Sequence, residues 1–201
     1  MLRAANKPIG MNPNEVELRV RVAVARDGRA LRLAPDELRN DREVVMAAVA
    51  QDSSALEYAS DELKKDRWVV LVAVTQSGYA LQFTSDELQA DREVVLVAVS
   101  TDGFSLQYAS DELQGDRELV LVAVAQRGCA LESASEELQA DREVVLVAVK
   151  EDGSALEFAS NELQLDLEVV VAAMSNDPWW VRMYLHENNF FRLDADLNRP
   201  E

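Results

Sequence analysis

The sequence predicts an all-α solenoid of about six and a half helical hairpins. Two patterns point to it: a 25-residue period held without insertion, and helix caps at fixed places inside every period. At its clearest the block reads DREVVLVAVSTDGFSLQYASDELQG, from Asp91 to Gly115. Asp41, Asp66, Asp91, Asp116, Asp141 and Asp166 open six successive blocks in one register, and a worn copy begins at Val16. A single block is too short to bury its own apolar face, so neighbours must cover it for one another by stacking.

The elements follow in order within one block. The opening Asp suits an N-cap, where its carboxylate accepts free backbone N–H groups, and the acid that follows in the first turn suits the helix dipole. Val94, Val95, Ala98 and Val99 then place one apolar stripe on a helix of about ten residues. Asp102-Gly103 supplies the stop. Glycine recurs there as Gly28, Gly78, Gly103, Gly128 and Gly153, which predicts a left-handed residue at the helix end, with Ser53 as the interior departure. Ala155, Leu156, Ala159 and Leu163, matched by Ala55, Leu56, Ala59 and Leu63, predict a second helix packed back on the first. Ser60-Asp61-Glu62 is a fresh cap within it, which would divide this second element into a short helix and a final turn.

The VVLVAV run is rich in β-branched residues and by propensity alone would favour parallel strands. Strict alternation is absent, however, and caps bracket the segments at both ends, so helices are the better fit. From Val16 to Val24 alone do Glu17, Arg19 and Arg21 alternate with Val and Leu, which keeps an N-terminal strand or hairpin as an alternative there. The organisation expected is an N-terminal extension over residues 1–15, the solenoid over 16–177, and an aromatic capping segment over 178–201.

Composition narrows the function classes. Nearly half the residues are apolar, enough for a core despite a formal charge of -17. Residues 1–40 hold eight cations against five acids, net +3, and the remainder twelve against 32, net -20, so the chain is electrically polar. Nucleic acid is not the expected partner, because the acidic body would repel phosphate. Apolar runs such as Trp68 to Val74 stop at seven residues, which leaves no transmembrane segment to expect. Met1 to Pro13 lacks the apolar core of a secretory signal, while Arg3 and Lys7, with no acid before Glu15, are compatible with an organelle-targeting stretch. Cys129 is the sole cysteine, which excludes an internal disulfide and fits an intracellular reducing compartment, cytoplasm or organelle interior.

With DREVVLVAV, DG, ALxxAS and DELQ in place, the chain over residues 16–176 resembles an uncharacterised family of tandem repeats of unknown function, found mainly in unicellular eukaryotes and large viruses. The resemblance implies a helical-hairpin solenoid and no assigned activity, hence no catalytic residues to carry over. Val16-Glu17-Leu18 in place of Asp-Arg-Glu, and Asp177-Pro178-Trp179-Trp180 in place of Asp-Gly, depart from the repeat and are expected to cap the stack.

In a solenoid, residues one period apart lie side by side. Leu33, Tyr58, Phe83, Tyr108, Ser133 and Phe158 then form a mostly aromatic ladder, and Arg29, Ser54, Tyr79, Phe104, Cys129, Ser154 and Trp179 a variable one just after the glycine. Aromatics can merely seal seams between repeats, or they can bind a partner. On the second account the candidate partner-binding residues are Tyr58, Phe83, Tyr108, Phe158, Tyr79, Phe104, Trp179 and Trp180. The rows Asp61-Glu62, Asp86-Glu87, Asp111-Glu112, Glu136-Glu137 and Asn161-Glu162, with the row Arg42, Arg67, Arg92, Arg117 and Arg142, suggest ion pairs across repeats. They lack the spacing of a calcium loop, and no metal or other cofactor is expected. Catalysis needs unlike groups converging on one point, whereas repetition sets like groups in rows. Cys129 and His186, the only histidine, would have to meet across two repeats. The Asp177-Pro178 start and the Trp179, Trp180 and Tyr184 cluster read as a closing helix laid over the last repeat. The function expected is a non-enzymatic protein-interaction or structural scaffold for a protein or peptide partner. The alternative is an accessory subunit docked in a large, organellar assembly.

Overall fold

The computed structural model describes residues 12–187, and every regular element among them is helical. Each block opens with a long helix: α1 (Pro13–Val24), α2 (Arg42–Gln51), α3 (Arg67–Gln76), α4 (Arg92–Thr101), α5 (Arg117–Gln126), α6 (Arg142–Glu151) and α7 (Leu167–Asn176). A closing helix, α8 (Pro178–Glu187), follows. The chain divides into two compact units, one up to Ala73 and one from Val74. Each is an all-α stack of the same repeat.

Capping runs as the sequence predicts. In α4 the Asp91 carboxylate accepts from the Glu93 and Val94 amides at 3.0 and 3.1 Å, and Asp41, Asp116, Asp141 and Asp166 cap α2, α5, α6 and α7 in the same way. The predicted stripe is the core: in the second unit Val94, Val95, Ala98 and Val99 and their counterparts in α5 and α6 are fully buried. Val44, Val45, Ala48 and Val49 do the same in the first unit. Each such Val contributes about 1.5–3 kcal/mol on burial. The strand alternative for Val16 to Val24 does not hold. Its charges pair four residues apart, Glu15 with Arg19 and Glu17 with Arg21, both at 2.9 Å, which is helical spacing, and the Asn12 side chain caps the start.

The second half of the block differs from the predicted α-helix. It is a six-residue 3₁₀ helix, as in Gly103–Tyr108, followed by one short turn of helix, as in Asp111–Gln114. With three residues per turn, Gly103, Leu106 and Ala109 fall on one line, and all three are buried. Asp102, extended, ends α4 and caps the 3₁₀ helix by accepting from the Phe104 amide at 3.1 Å. Gln114 reaches back to the Leu106 and Ala109 carbonyls at 3.3 and 3.1 Å, supplying partners the short helix leaves open.

The glycine also has a different reason from the one expected. None of the repeat glycines is left-handed; each opens its 3₁₀ helix against a main chain. A Cβ on Gly103 would lie 2.4 Å from the Ala123 carbonyl oxygen, and the same clash recurs at Gly128 with Ala148 and at Gly28 with Ala48. The close approach joins neighbouring blocks, and backbone bonds such as Ser110 N–H to the Gln89 carbonyl at 3.0 Å add a link at seams within a unit.

Two substitutions separate close approach from ordinary glycine effects. Gly103→Ala should cost roughly 3 kcal/mol, because backbone rather than a side chain must yield. Gly115→Ala should instead raise stability by about 0.5 kcal/mol, since the nearest atom is 3.4 Å away and the φ of -94° suits alanine. Ser105, buried with no partner for its hydroxyl, occupies a place that Ala80, Ala130 and Ala155 fill elsewhere. Ser105→Ala should stabilise by about 1 kcal/mol. Urea unfolding curves of the three variants check these values.

Candidate functional site

The side chains one period apart do meet. In the first unit Arg29 donates to Asp52 at 2.8 Å and to its own counterpart Ser54 at 3.1 Å. In the second unit the Cys129 thiol lies 3.2 Å from both Asp152 Oδ2 and its counterpart Ser154 Oγ. The row after the glycine is carried on the first turn of successive 3₁₀ helices, and its neighbours touch at Arg29–Ser54 in the first unit and Cys129–Ser154 in the second.

In the second unit this strip carries Tyr79 and Phe104, both exposed. Tyr79 meets the Tyr108 ring edge-on, centroids 5.2 Å apart, and the Arg127 guanidinium stands 5.4 Å over Phe104. Burial, with the hydrogen bond to Tyr79, pushes the Tyr108 phenol up to about 12. The candidate residues thus fall into two classes. Tyr79 and Phe104 are exposed, whereas Phe83, Tyr108 and Phe158, at the last position of the 3₁₀ helix, are half-buried, and Tyr108 packs against Tyr79. Tyr58 holds the same half-buried position in the first unit, next to a more exposed Leu33.

At the end of the second unit α8 starts on Asp177, whose carboxylate accepts from the Trp180 amide at 3.0 Å. Val181 and Leu185 are its buried residues, and Trp180 stacks on Tyr184 at 5.0 Å. Trp179, one of the aromatics expected to cover the last repeat, is instead 73% exposed, because it lies on the opposite side of the helix from Val181 and Leu185. It lines a surface depression with Pro178, Arg182, Met183 and His186. Phe190 and Phe191 lie outside the described residues. Trp68, 70% exposed in the first unit, escaped the aromatic rows. The signal for it was available: it replaces the Glu found at Glu43, Glu93, Glu118, Glu143 and Glu168.

The ion pairs take a different course from the one expected. Within a unit, Arg42, Arg92, Arg117 and Arg142 reach forward to the opening Asp of the next block, and the last three also to its third-position Glu, not to the Asp-Glu row. In the second unit Arg92 bonds Asp116 at 2.8 Å and Glu118 at 2.6 Å, Arg117 bonds Asp141 and Glu143, and Arg142 bonds Asp166 and Glu168. In the first unit Arg42 bonds Asp66 at 2.8 Å. The Arg partner holds Asp66, Asp116 and Asp141 below the ordinary 3.8, and at Asp166 the Val169 amide does most of this. Glu157 is shifted the other way, by burial and by the charges of Glu132 and Asp152.

Burial pushes the Cys129 thiol up to about 11, which keeps it protonated and non-nucleophilic. His186 is exposed on α8. Among the described residues no three His, Cys, Asp or Glu side chains are grouped to hold a metal, and no helix is long and apolar enough to cross a membrane.

A family model described as a domain of unknown function, DUF4116, matches four times in tandem, over residues 20–64, 42–89, 91–139 and 141–188. The chain belongs to the DUF4116 family. Each DUF4116 match spans about two of the 25-residue blocks, and the last two start on a block-opening Asp, so the family unit is a pair of repeats. No curated protein and no solved structure matches the chain.

The charge pattern sets the acid response. The depressed Asp carboxyls contribute stability that is complete above pH 3.8 and lost as pH falls through their folded values. Glu157 has the opposite sign, since the fold disfavours its ionised form and acidification relieves it. Thermal melts should show Tm falling below pH 3.8, and Glu157→Gln raising Tm at neutral pH by about 1–2 °C.

Proposed function

We propose that this protein is a non-enzymatic interaction scaffold that binds a peptide or protein segment along the strip after the repeat glycines. The observation that carries the reading is Tyr79 and Phe104, one period apart and exposed, each in contact with another side chain of its unit, Tyr108 and Arg127. Aromatic side chains held in place lose little entropy on binding and are the usual anchors of interfaces. In a scaffold the fixed positions build the stack and the variable row reads the partner. Tyr, Phe, Cys and Ser succeed one another in that row, where the core positions hold Val, Ala and Leu with few departures such as Leu119 and Ser105.

The charge names the partner's chemistry. With net -20 after residue 40, and a Glu157 pKa raised by burial and by the charges of Glu132 and Asp152, the surface favours a segment that combines bulky apolar side chains with Lys or Arg. Tyr58, Phe83 and Phe158 have a supporting role in this reading, and Trp179 and Trp180 a separate contact at the end of the second unit.

Selection of a random peptide library on the full chain tests it. Peptides with basic and aromatic or aliphatic residues should be enriched, and the double variant Tyr79→Ala with Phe104→Ala should bind them at least ~10-fold more weakly. Both side chains are exposed, so Tm should move by no more than about 2 °C. Unchanged affinity in the double variant would remove the strip from the interaction.

A further inference from the structure

We propose that copies of this chain associate head to tail, the outer face of α7 on one copy stacking on the outer face of α1 on the next. α1 and α7 lack the charged groups that key the seams of the second unit. There a forward-reaching Arg meets two acceptors, as with Arg117, Asp141 and Glu143. In α7 the Arg position is Leu167, and in α1 the two acceptor positions are Val16 and Leu18. All three members of the ionic trio are therefore replaced by apolar residues, the donor in α7 of the second unit and the two acceptors in α1 of the first.

Exposure agrees with this. Leu167 is 78% and Leu18 63% exposed, and Val171 and Val22 beside them are exposed as well. The sixth block position, held by Val171, is also one that faces the following block: in α1 it is Arg21, which bonds Asp41 at 3.2 Å. Stacked in the register of the interior seams, Leu167 would meet Val16 and Leu18 where a guanidinium meets two carboxylates elsewhere. The neighbouring charges are already paired within each copy, Glu15 with Arg19, Glu17 with Arg21 and Glu168 with Arg142, so closing the seam strands none of them. The first 40 residues carry net +3 and the rest net -20, so the head of one copy is drawn to the body of another, whereas two tails would repel. That selects a heterologous contact over a two-fold one.

Sedimentation equilibrium on the full chain tests the proposal. The wild type should show an average mass that rises with concentration above 22.4 kDa. Leu167→Arg should weaken association at least ~10-fold, by setting an unpaired guanidinium against Val16 and Leu18. Adding Val16→Asp and Leu18→Glu to that variant rebuilds the interior trio across the junction and should restore association. Circular dichroism checks that each variant folds, and Val171→Lys, also on an exposed site, serves as an independent disruption. A wild type fixed at 22.4 kDa, association that survives Leu167→Arg, or a folded triple variant that stays dissociated would each overturn the head-to-tail seam. A monomer destabilised by Leu167→Arg would also overturn it, pointing to residues 188–201 of the same chain as the cover.

Discussion

The approach of each glycine to a carbonyl of the following block governs the rest of this fold. At Gly103, Gly128 and Gly28 the main chain comes so near an Ala carbonyl that no side-chain atom fits between them. The apolar stripes of the long helices are small, built mainly from Val and Ala, and such residues cover one another only if the backbones draw close. The 3₁₀ helix serves the same end. Its three-residue period lines up glycine, Leu and Ala on the inner side and turns the following position outward, where Tyr79 and Phe104 stand.

The forward Arg bonds work differently. They lie near solvent, where an ion pair adds little to stability, but their spacing of 24 and 26 residues is satisfied only when neighbouring blocks are in register. They act as a keying device laid over a hydrophobic seam. Leu167 in α7, and Val16 and Leu18 in α1, stand where this key has its donor and its acceptors and leave those positions apolar.

Much of this was legible in the sequence because it is local. The Asp caps, the stripe Val94, Val95, Ala98 and Val99, and the start of α8 on Asp177 each depend on residues within a turn or two of one another. The 3₁₀ helix was not legible, since Leu156, Ala159 and Leu163 fit an α-helical face as readily as a tighter one. The reason for the glycine was hidden because the atom it avoids is twenty residues away. The aromatic rows were found as rows. Their division into outward Tyr79 and Phe104 and half-buried Phe83, Tyr108 and Phe158 depends on the rotation of the 3₁₀ helix. The true acceptors of the Arg row were likewise set by the stacking offset rather than by nearness in the chain.

The one-way reach of each Arg has a consequence for how such a chain can change over time. The blocks opened by Asp116 and Asp141 each carry a donor on one flank and acceptors on the other, so in-frame excision or duplication of such a block creates a junction with matching chemistry on both flanks. Length can therefore drift by unequal recombination while the joints stay sound, and a lineage can alter how many reading positions it displays without redesigning any of them.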